Sequence, residues 1–396
     1  MRIISEMGIF TGIFLLLEAG GFICFLQLCR LRRRRLIFGT LYWAVAIFVI
    51  GLLWLTLGGD RIRTTVDFHR VYLAIAVLML DMAPKFMICL FVLAALLLRL
   101  LRQRNAAALF LHGGFIIAAG TLLVGIYGIF IGRKTATREH VTITLPTLPD
   151  SLNGLTIAQI SDFHLGGFYN DGFIRRCADI INQYNPDIVV FTGDMVNNYF
   201  NELKGFEEAL TLFDAPLGKY AISGNHDYGD YSLWPSAANK RQNREEINVA
   251  IRQAGFRLLL NETHRIAIGD TALWLLGVEN WGHHSYSNLR RAMADMPEGA
   301  FAVLLTHNPA HWPHEVIGKT NIALSLAGHT HGGQSSLMLA GIRFSPIRLI
   351  ERHWAGLYRS GNQYLYVNRG FGCVGLLARI DMPPEITFIT LKKYPK

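Results

Sequence analysis

Five short islands hold the residues of this chain best suited to chemistry: Asp162-Phe163-His164, Gly193-Asp194, Gly224-Asn225-His226-Asp227, His307 and Gly328-His329-Thr330-His331. Together they offer enough oxygen and imidazole donors for two metal ions. Asp and His suit zinc, manganese and iron, whereas calcium and magnesium sites use mostly oxygen. None of the 5 cysteines falls in an island, which excludes a thiolate centre. Two ions held by such donors point to hydrolysis of a phosphate ester or anhydride.

The elements that must position these residues are legible as hydrophobic runs. Segments 155–160, 186–192, 220–223, 301–306 and 322–327 read as buried strands, and each opens directly onto an island. A strand ending at an island delivers its polar groups to a site at the carboxyl end of a sheet. Taken singly, His307 reads as a loop histidine and Asp194 or Asn225 as a turn residue. It is their recurrence at five strand ends that argues for one site. Segments 171–184, 202–213, 245–254 and 288–296 have helical spacing, while 141–145, 363–368 and 385–391 read as further strands. His283 and His284 fall in a loop near the expected substrate rim, and His311 and His314 at a helix start.

In order and in strand context the islands resemble the calcineurin-like metallophosphoesterase superfamily, with its D-x-H, G-D, G-N-H-D, lone H and G-H-x-H motifs. The resemblance covers about residues 150–335. The stretch Gly328 to Gln334 and Asn368-Arg369-Gly370-Phe371-Gly372 look like its membrane-associated bacterial branch, which includes proteins compared with UDP-2,3-diacylglucosamine pyrophosphatases. The resemblance implies a two-sheet α/β/β/α sandwich over residues 135–396. It also implies two metal ions, manganese, iron or zinc. The first would take Asp162, His164, Asp194 and His331. The second would share Asp194 and add Asn225, His307 and His329. A hydroxide bridging the ions would be the nucleophile, His226 would stabilise charge or protonate the leaving oxygen, and Asp227 would orient His226.

The first third of the chain is of another kind. The 51% hydrophobic fraction is high for a soluble protein, and the excess lies in apolar stretches at 9–28, 36–57, 71–98 and 106–131. Each is long enough to cross a bilayer, so residues 1–134 are expected to form a four-helix transmembrane region. Arg30, Arg32, Arg33, Arg34 and Arg35 lie in the first connection, and Arg99, Arg102 and Arg104 in the third. The positive-inside tendency puts both in the cytoplasm and the catalytic region outside a bacterial inner membrane. Arg61, Arg63 and Arg70 weaken that contrast, partly offset by Asp60 and Asp67. Asp81 and Lys85 flank Pro84 in the third stretch and can pair on one helix face. They suggest either a packed kink or a transport or lipid-recognition role.

The formal charge of +9 does not signal nucleic acid. Residues 1–134 hold fifteen Lys or Arg against five Asp or Glu, leaving twenty-three against twenty-four elsewhere. No basic face and no nucleic-acid motif accompanies the islands. Cys24, Cys29 and Cys89 belong to the apolar region. Cys177 lies on an apolar stripe and reads as core, although a disulfide with Cys373 is conceivable outside the cytoplasm. Segment 228–244, with Tyr231, Trp234, Lys240, Arg241 and Arg244, suggests a substrate lid, and Trp281, Trp312 and Trp354 a lipid-facing rim. The expected partner is a phosphate ester or pyrophosphate, lipid-linked or associated with the envelope, together with membrane lipids. The alternatives are a UDP-2,3-diacylglucosamine pyrophosphatase-like hydrolase with a cytoplasmic site, a non-enzymatic envelope scaffold and a lipid transporter.

Overall fold

The computed structural model describes residues 11–12, 14–23, 32–57, 65–282, 284–339 and 342–394. The chain divides into two compact units, one of Met1–Ile131 with Gly375–Ala378 and one of Gly132–Val374 with Arg379–Lys396. Among the residues named above, Cys24, Cys29, Arg30, Asp60, Arg61, Arg63 and His283 lie outside the described residues. So do the side chains of Arg32, Arg33, Arg34, Arg35 and Asp67.

The first unit contains helices α1 (Phe14–Ile23), α2 (Arg32–Leu57), α3 (Thr65–Leu100) and α4 (Arg104–Phe130). Three apolar helical segments, Ile37–Thr56, Phe68–Leu100 and Arg104–Lys134, are long enough to cross a membrane. The expected fourth span is not seen among the described residues. There α1 is far shorter than the roughly 20 residues that a bilayer requires, and the rest of 9–28 lies outside them. The surfaces of α2, α3 and α4 expose large apolar side chains such as Leu55, Leu73, Leu97 and Leu123, a pattern suited to lipid rather than water.

Helix α3 runs through Pro84 without a break. Lys85 Nζ lies 2.6 Å from Asp81 Oδ1, the pairing that the i,i+4 spacing predicts. It also lies 2.9 Å from Glu18 Oε1 on α1, a partner the spacing does not reveal. Tyr42 on α2 donates to the Glu18 carbonyl at 2.9 Å. The charged group is thus a three-way contact that joins α1 to α3, which accounts for polar residues in an apolar region without invoking transport.

The second unit is a two-sheet sandwich. Its strands are β1 (Thr137–Leu145), β2 (Thr156–Ile160), β3 (Ile188–Phe191), β4 (Lys219–Ala221), β5 (Phe256–Leu258), β6 (Glu262–Ile268), β7 (Thr271–Gly277), β8 (Ala302–Leu305), β9 (Leu324–Ala327), β10 (Leu337–Leu339), β11 (Ile342–Phe344), β12 (Gly356–Ser360), β13 (Gln363–Val367) and β14 (Glu385–Lys393). One six-stranded sheet has the order β1-β14-β2-β3-β4-β5, the other β12-β13-β9-β8-β7-β6, and β10-β11 stand apart as a two-stranded ladder. Strands β2 to β5 are mutually parallel, as are β7, β8, β9 and β13.

Between the sheets Ile157, Val190, Leu275, Leu305 and Leu326 form one core. A second core lies under α5 (Gly172–Tyr184), α6 (Glu207–Thr211) and α7 (Ala237–Gln253). A third lies under α8 (Leu289–Ala292) and the short helix Trp312–Val316. The central strands are therefore covered on both faces, and this is why they read as continuous apolar runs. Cys177 sits in the core under α5. Cys177 and Cys373 are both buried and neither is in a disulfide, so the conceivable bond between them is not formed.

Candidate metal centre

Every island falls just past the carboxyl end of a parallel strand. β2 leads to Asp162 and His164, β3 to Asp194, β4 to Asn225, His226 and Asp227, β8 to His307, and β9 to His329 and His331. Five of these residues have left-handed backbones: Asp162 (φ 51), His164 (φ 45), Asp194 (φ 63), His329 (φ 72) and His331 (φ 52). Non-glycine residues adopt this region at a cost, and such strain clusters where side-chain direction matters more than local stability. The motif glycines admit the close packing. A Cβ on Gly224 would lie 2.2 Å from Asp194 Oδ1, and one on Gly328 would lie 2.2 Å from Asp162 Oδ2.

The donors converge in three overlapping groups: Asp162, His164 and His331; His164, Asp194 and His226; and Asp194, His307 and His329. His164 Nε2 is 3.1 Å from His331 Nε2 and 3.5 Å from Asp194 Oδ2. The same Asp194 oxygen is 3.1 Å from His307 Nε2, which lies 3.0 Å from Asn225 Oδ1 and 3.2 Å from His329 Nδ1. Donors about 2.0–2.1 Å from a shared ion stand about 3.0–3.4 Å from one another, so these separations match a coordination shell. The nitrogen and oxygen donor set suits zinc, manganese or iron, and the residues fit a pair of ions.

Protonation fits for three of the four candidate histidine ligands, and His307 would have to give up a proton to bind. Burial holds the His164 and His329 imidazoles down to about 3 and that of His331 well below its usual value. All three are neutral near pH 7, as metal ligation demands. Burial would also lower His307, but the adjacent Asp194 overcomes it and lifts the group to about 9. Burial would raise Asp194, yet His307, His226 and His164 hold it well below the ordinary carboxylate range. Asp162 is raised by burial to about 6, with His307 opposing.

His226 and Asp227 behave differently from expectation. The Asp227 carboxylate does not orient His226. It accepts backbone N–H bonds from Asp194 at 3.0 Å, Met195 at 2.8 Å, Val196 at 3.2 Å and Gly224 at 2.9 Å. The reason is local: the short helical turn His226–Tyr228 buries Asp227 against the loops after β3 and β4, whose backbone N–H groups its carboxylate meets. His226 instead bonds the Asn197 carbonyl through Nδ1 at 2.7 Å. A carbonyl only accepts, so Nδ1 carries the proton and Nε2 is the free nitrogen.

Tyr231, which sequence position alone groups with the lid, belongs to the site. Its ring stacks on His226 with centroids 4.6 Å apart, and its hydroxyl oxygen accepts from Asn225 Nδ2 at 2.9 Å. Lys240 is paired with Asp230, and Arg244 with Glu279, so neither stands free for a phosphate. Trp312 is buried in the core and cannot face lipid, while Trp281 donates to Glu315 at 2.9 Å. His311 is buried between Thr306 and Glu315 at the start of the short helix Trp312–Val316, apart from the donor groups. Sequence reading also misses Glu202, whose buried carboxylate ties together the N–H groups of Gly166, Asn197, Asn198 and Tyr199. Nothing in its sequence context marks it out.

A fold with two sheets whose parallel strand ends share one cluster of histidines and carboxylates defines a class of metal-dependent hydrolases. The calcineurin-like phosphoesterase family profile matches residues 155–333. The chain is 31% identical over 296 residues to the metallophosphoesterase YkuE of Bacillus subtilis (strain 168), covering 72% of this chain and 96% of that one. It is 30% identical over 281 residues to a transmembrane protein with metallophosphoesterase domain of Danio rerio, covering 69% of this chain and 61% of that one. It is 28% identical over 314 residues to the UDP-2,3-diacylglucosamine pyrophosphatase LpxG of Chlamydia trachomatis serovar D, covering 68% and 93% respectively. The chain belongs to the calcineurin-like metallophosphoesterase family.

Proposed function

We propose that this protein is a membrane-tethered phosphohydrolase with two metal ions, acting on a phosphate ester or pyrophosphate that is lipid-linked or associated with the cell envelope. The observation that carries the reading is the placement of Asp194 Oδ2 between His164 Nε2 at 3.5 Å and His307 Nε2 at 3.1 Å. One carboxylate thereby serves both donor groups. Asp162, His164, Asp194 and His331 would hold one ion, and Asp194, Asn225, His307 and His329 the other. When bound, such a pair clamps the phosphoryl oxygens and makes water acidic enough to attack at neutral pH.

The chain's own residues do the rest. Asn197 fixes the His226 ring through Nδ1–H and leaves Nε2 unbonded, so Nε2 is positioned to take up a proton from water and pass it to the leaving oxygen. Asn225 keeps its carbonyl toward His307 because its amide donates to Tyr231. Asp227 acts as a positioning residue that locks the loop carrying Asp194 to the turn carrying Asn225.

The catalytic unit is assigned to the extracytoplasmic side of a bacterial inner membrane. Arg99, Arg102 and Arg104 cluster at the turn between α3 and α4, which the positive-inside tendency puts in the cytoplasm. Only α4 then separates that turn from the catalytic unit, so this reading does not depend on whether a further span precedes it. A second reading, a cytoplasmic-facing enzyme acting on UDP-2,3-diacylglucosamine, is favoured by the likeness to the Chlamydia trachomatis pyrophosphatase.

The test is hydrolysis by full-length, detergent-solubilised protein of phosphomonoesters, phosphodiesters and lipid-linked pyrophosphates, with manganese, iron or zinc supplied. Turnover of at least one class is expected. Failure on all of them with both ions bound would refute the enzyme reading.

A further inference from the structure

Just past the His331 loop the catalytic unit presents an apolar edge that the metal centre does not use. Leu337 and Phe344 are cross-strand partners on one face of the β10-β11 ladder, and both are exposed. The turn Pro346–Leu349 follows, with Leu349 78% and the adjoining Ile350 81% exposed. Large aliphatic side chains so fully in solvent, in one short segment, are a patch rather than scattered surface residues. Arg348 and Arg352 flank them, are exposed, and make no ion pair among the described residues.

The base of this edge is fixed. Ser345 Oγ donates to the Gly332 carbonyl at 3.0 Å, and a Cβ on Gly333 would lie 2.8 Å from Ile347 Cβ. Gly332 adjoins His331. The segment is therefore pinned to the loop that carries a candidate metal ligand, while its tip remains exposed.

We propose that Leu337, Phe344, Leu349 and Ile350, with Arg348 and Arg352, dock the catalytic unit onto an anionic lipid surface. Two observations select lipid over another protein. Aliphatic tips beside unpaired arginines match the layering of an anionic bilayer, where apolar groups enter the acyl boundary and guanidinium groups meet phosphates. Six residues, 131–136, also join α4 to β1, three of them in the helical turn Gly132–Lys134, and even fully extended they would reach only about 20 Å. With α4 across a bilayer, the unit stays close to its surface. The proposal needs α4 to span a membrane, and it stands apart from the phosphohydrolase chemistry.

The test uses full-length Ile350→Cys protein labelled with an environment-sensitive fluorophore. It is reconstituted into vesicles of phosphatidylcholine with or without phosphatidylglycerol, with Glu298→Cys as an exposed control. In anionic vesicles the probe at 350 should shift to the blue and be quenched by lipids spin-labelled in the acyl chain, and the control should not. Adding Arg348→Glu and Arg352→Glu should abolish the shift. Equal quenching of the 350 probe by aqueous iodide in detergent and in anionic vesicles would overturn the proposal. Shielding that follows protein density rather than the spin-labelled lipid would also overturn it, by identifying a second copy of the chain as the occupant. Hydrolytic activity is not the readout, so loss of docking and loss of the enzyme reading remain distinguishable.

Discussion

His226 is oriented by Asn197, whose carbonyl oxygen accepts from its Nδ1 at 2.7 Å, and not by the carboxylate that follows it in the chain. The tautomer this contact fixes leaves Nε2 as the only nitrogen able to exchange a proton with substrate. Replacing His226 by Ala is expected to lower kcat by about 10²–10⁴-fold while leaving the bound metal unchanged by elemental analysis. Undiminished kcat would show that the ring takes no part in the reaction.

Asp227→Asn should act on structure rather than on the proton-transfer step. Its carboxylate accepts four backbone N–H groups, and an amide would set its own N–H against one of them. Leaving a buried donor unsatisfied costs about 1–3 kcal/mol. The expected result is a lower Tm and weaker metal retention, with the shape of the pH–rate profile kept. A profile that loses one limb while Tm holds would instead indicate a direct role.

The pH dependence of the metal-free protein follows from opposing shifts. His307 is raised to about 9 by Asp194 acting against burial. Its contribution to stability is full below its unfolded value of about 6.5 and is lost as pH rises through about 9. Asp227, raised by burial to about 7, changes in the same sense from its unfolded value of about 3.9 upward. His164 and His329, lowered by burial to about 3, have the opposite effect, because below about 6.5 the unfolded chain binds protons that the folded chain refuses. Thermal unfolding with chelator present should therefore give a Tm that peaks near neutrality and falls on both sides. Bound metal should remove the alkaline fall. A metal-free Tm that climbs steadily to pH 9 would contradict these environments.

Topology is open to a labelling experiment. Arg241 is exposed near the start of α7, and Arg241→Cys should react with a membrane-impermeant maleimide in intact cells. Reaction only after the cells are opened would favour the cytoplasmic-facing alternative.

How much of this was legible in the sequence depended on burial. Strands β2, β3, β4, β8 and β9 are covered on both faces, so their apolar runs stand out and lead directly to the donor residues. Strand β6 lies at a sheet edge with Glu262 and Arg265 exposed, and its alternation is too weak to mark it. The Gly269-Asp270 pair linking it to β7 is the hairpin signal that reveals both. Helix α7 begins at Ala237, earlier than the expected 245, because its first turns face solvent and lack an apolar stripe, although Ser236 accepts from the Asn239 N–H as an N-cap.

At the site, residue types and order were readable, while partners were not. The carboxylate of Asp227 and the ring of His226 are neighbours in sequence, and only the backbone donors of the β3 loop decide which one Asp227 meets. The link of Lys85 to Glu18 was hidden in the same way, since it crosses 67 positions and no periodicity connects α1 to α3.

A two-ion hydrolytic centre with Asp194 between the ions makes activity depend on metal stoichiometry. Its most direct test is the rate of phosphoester hydrolysis by metal-stripped full-length protein as manganese, iron or zinc is added in measured equivalents. Activity should appear only on addition of metal and reach its plateau at two ions per chain, with Asp194→Asn failing to bind the second ion. Full activity in the stripped protein, or a plateau at one ion, would contradict the account.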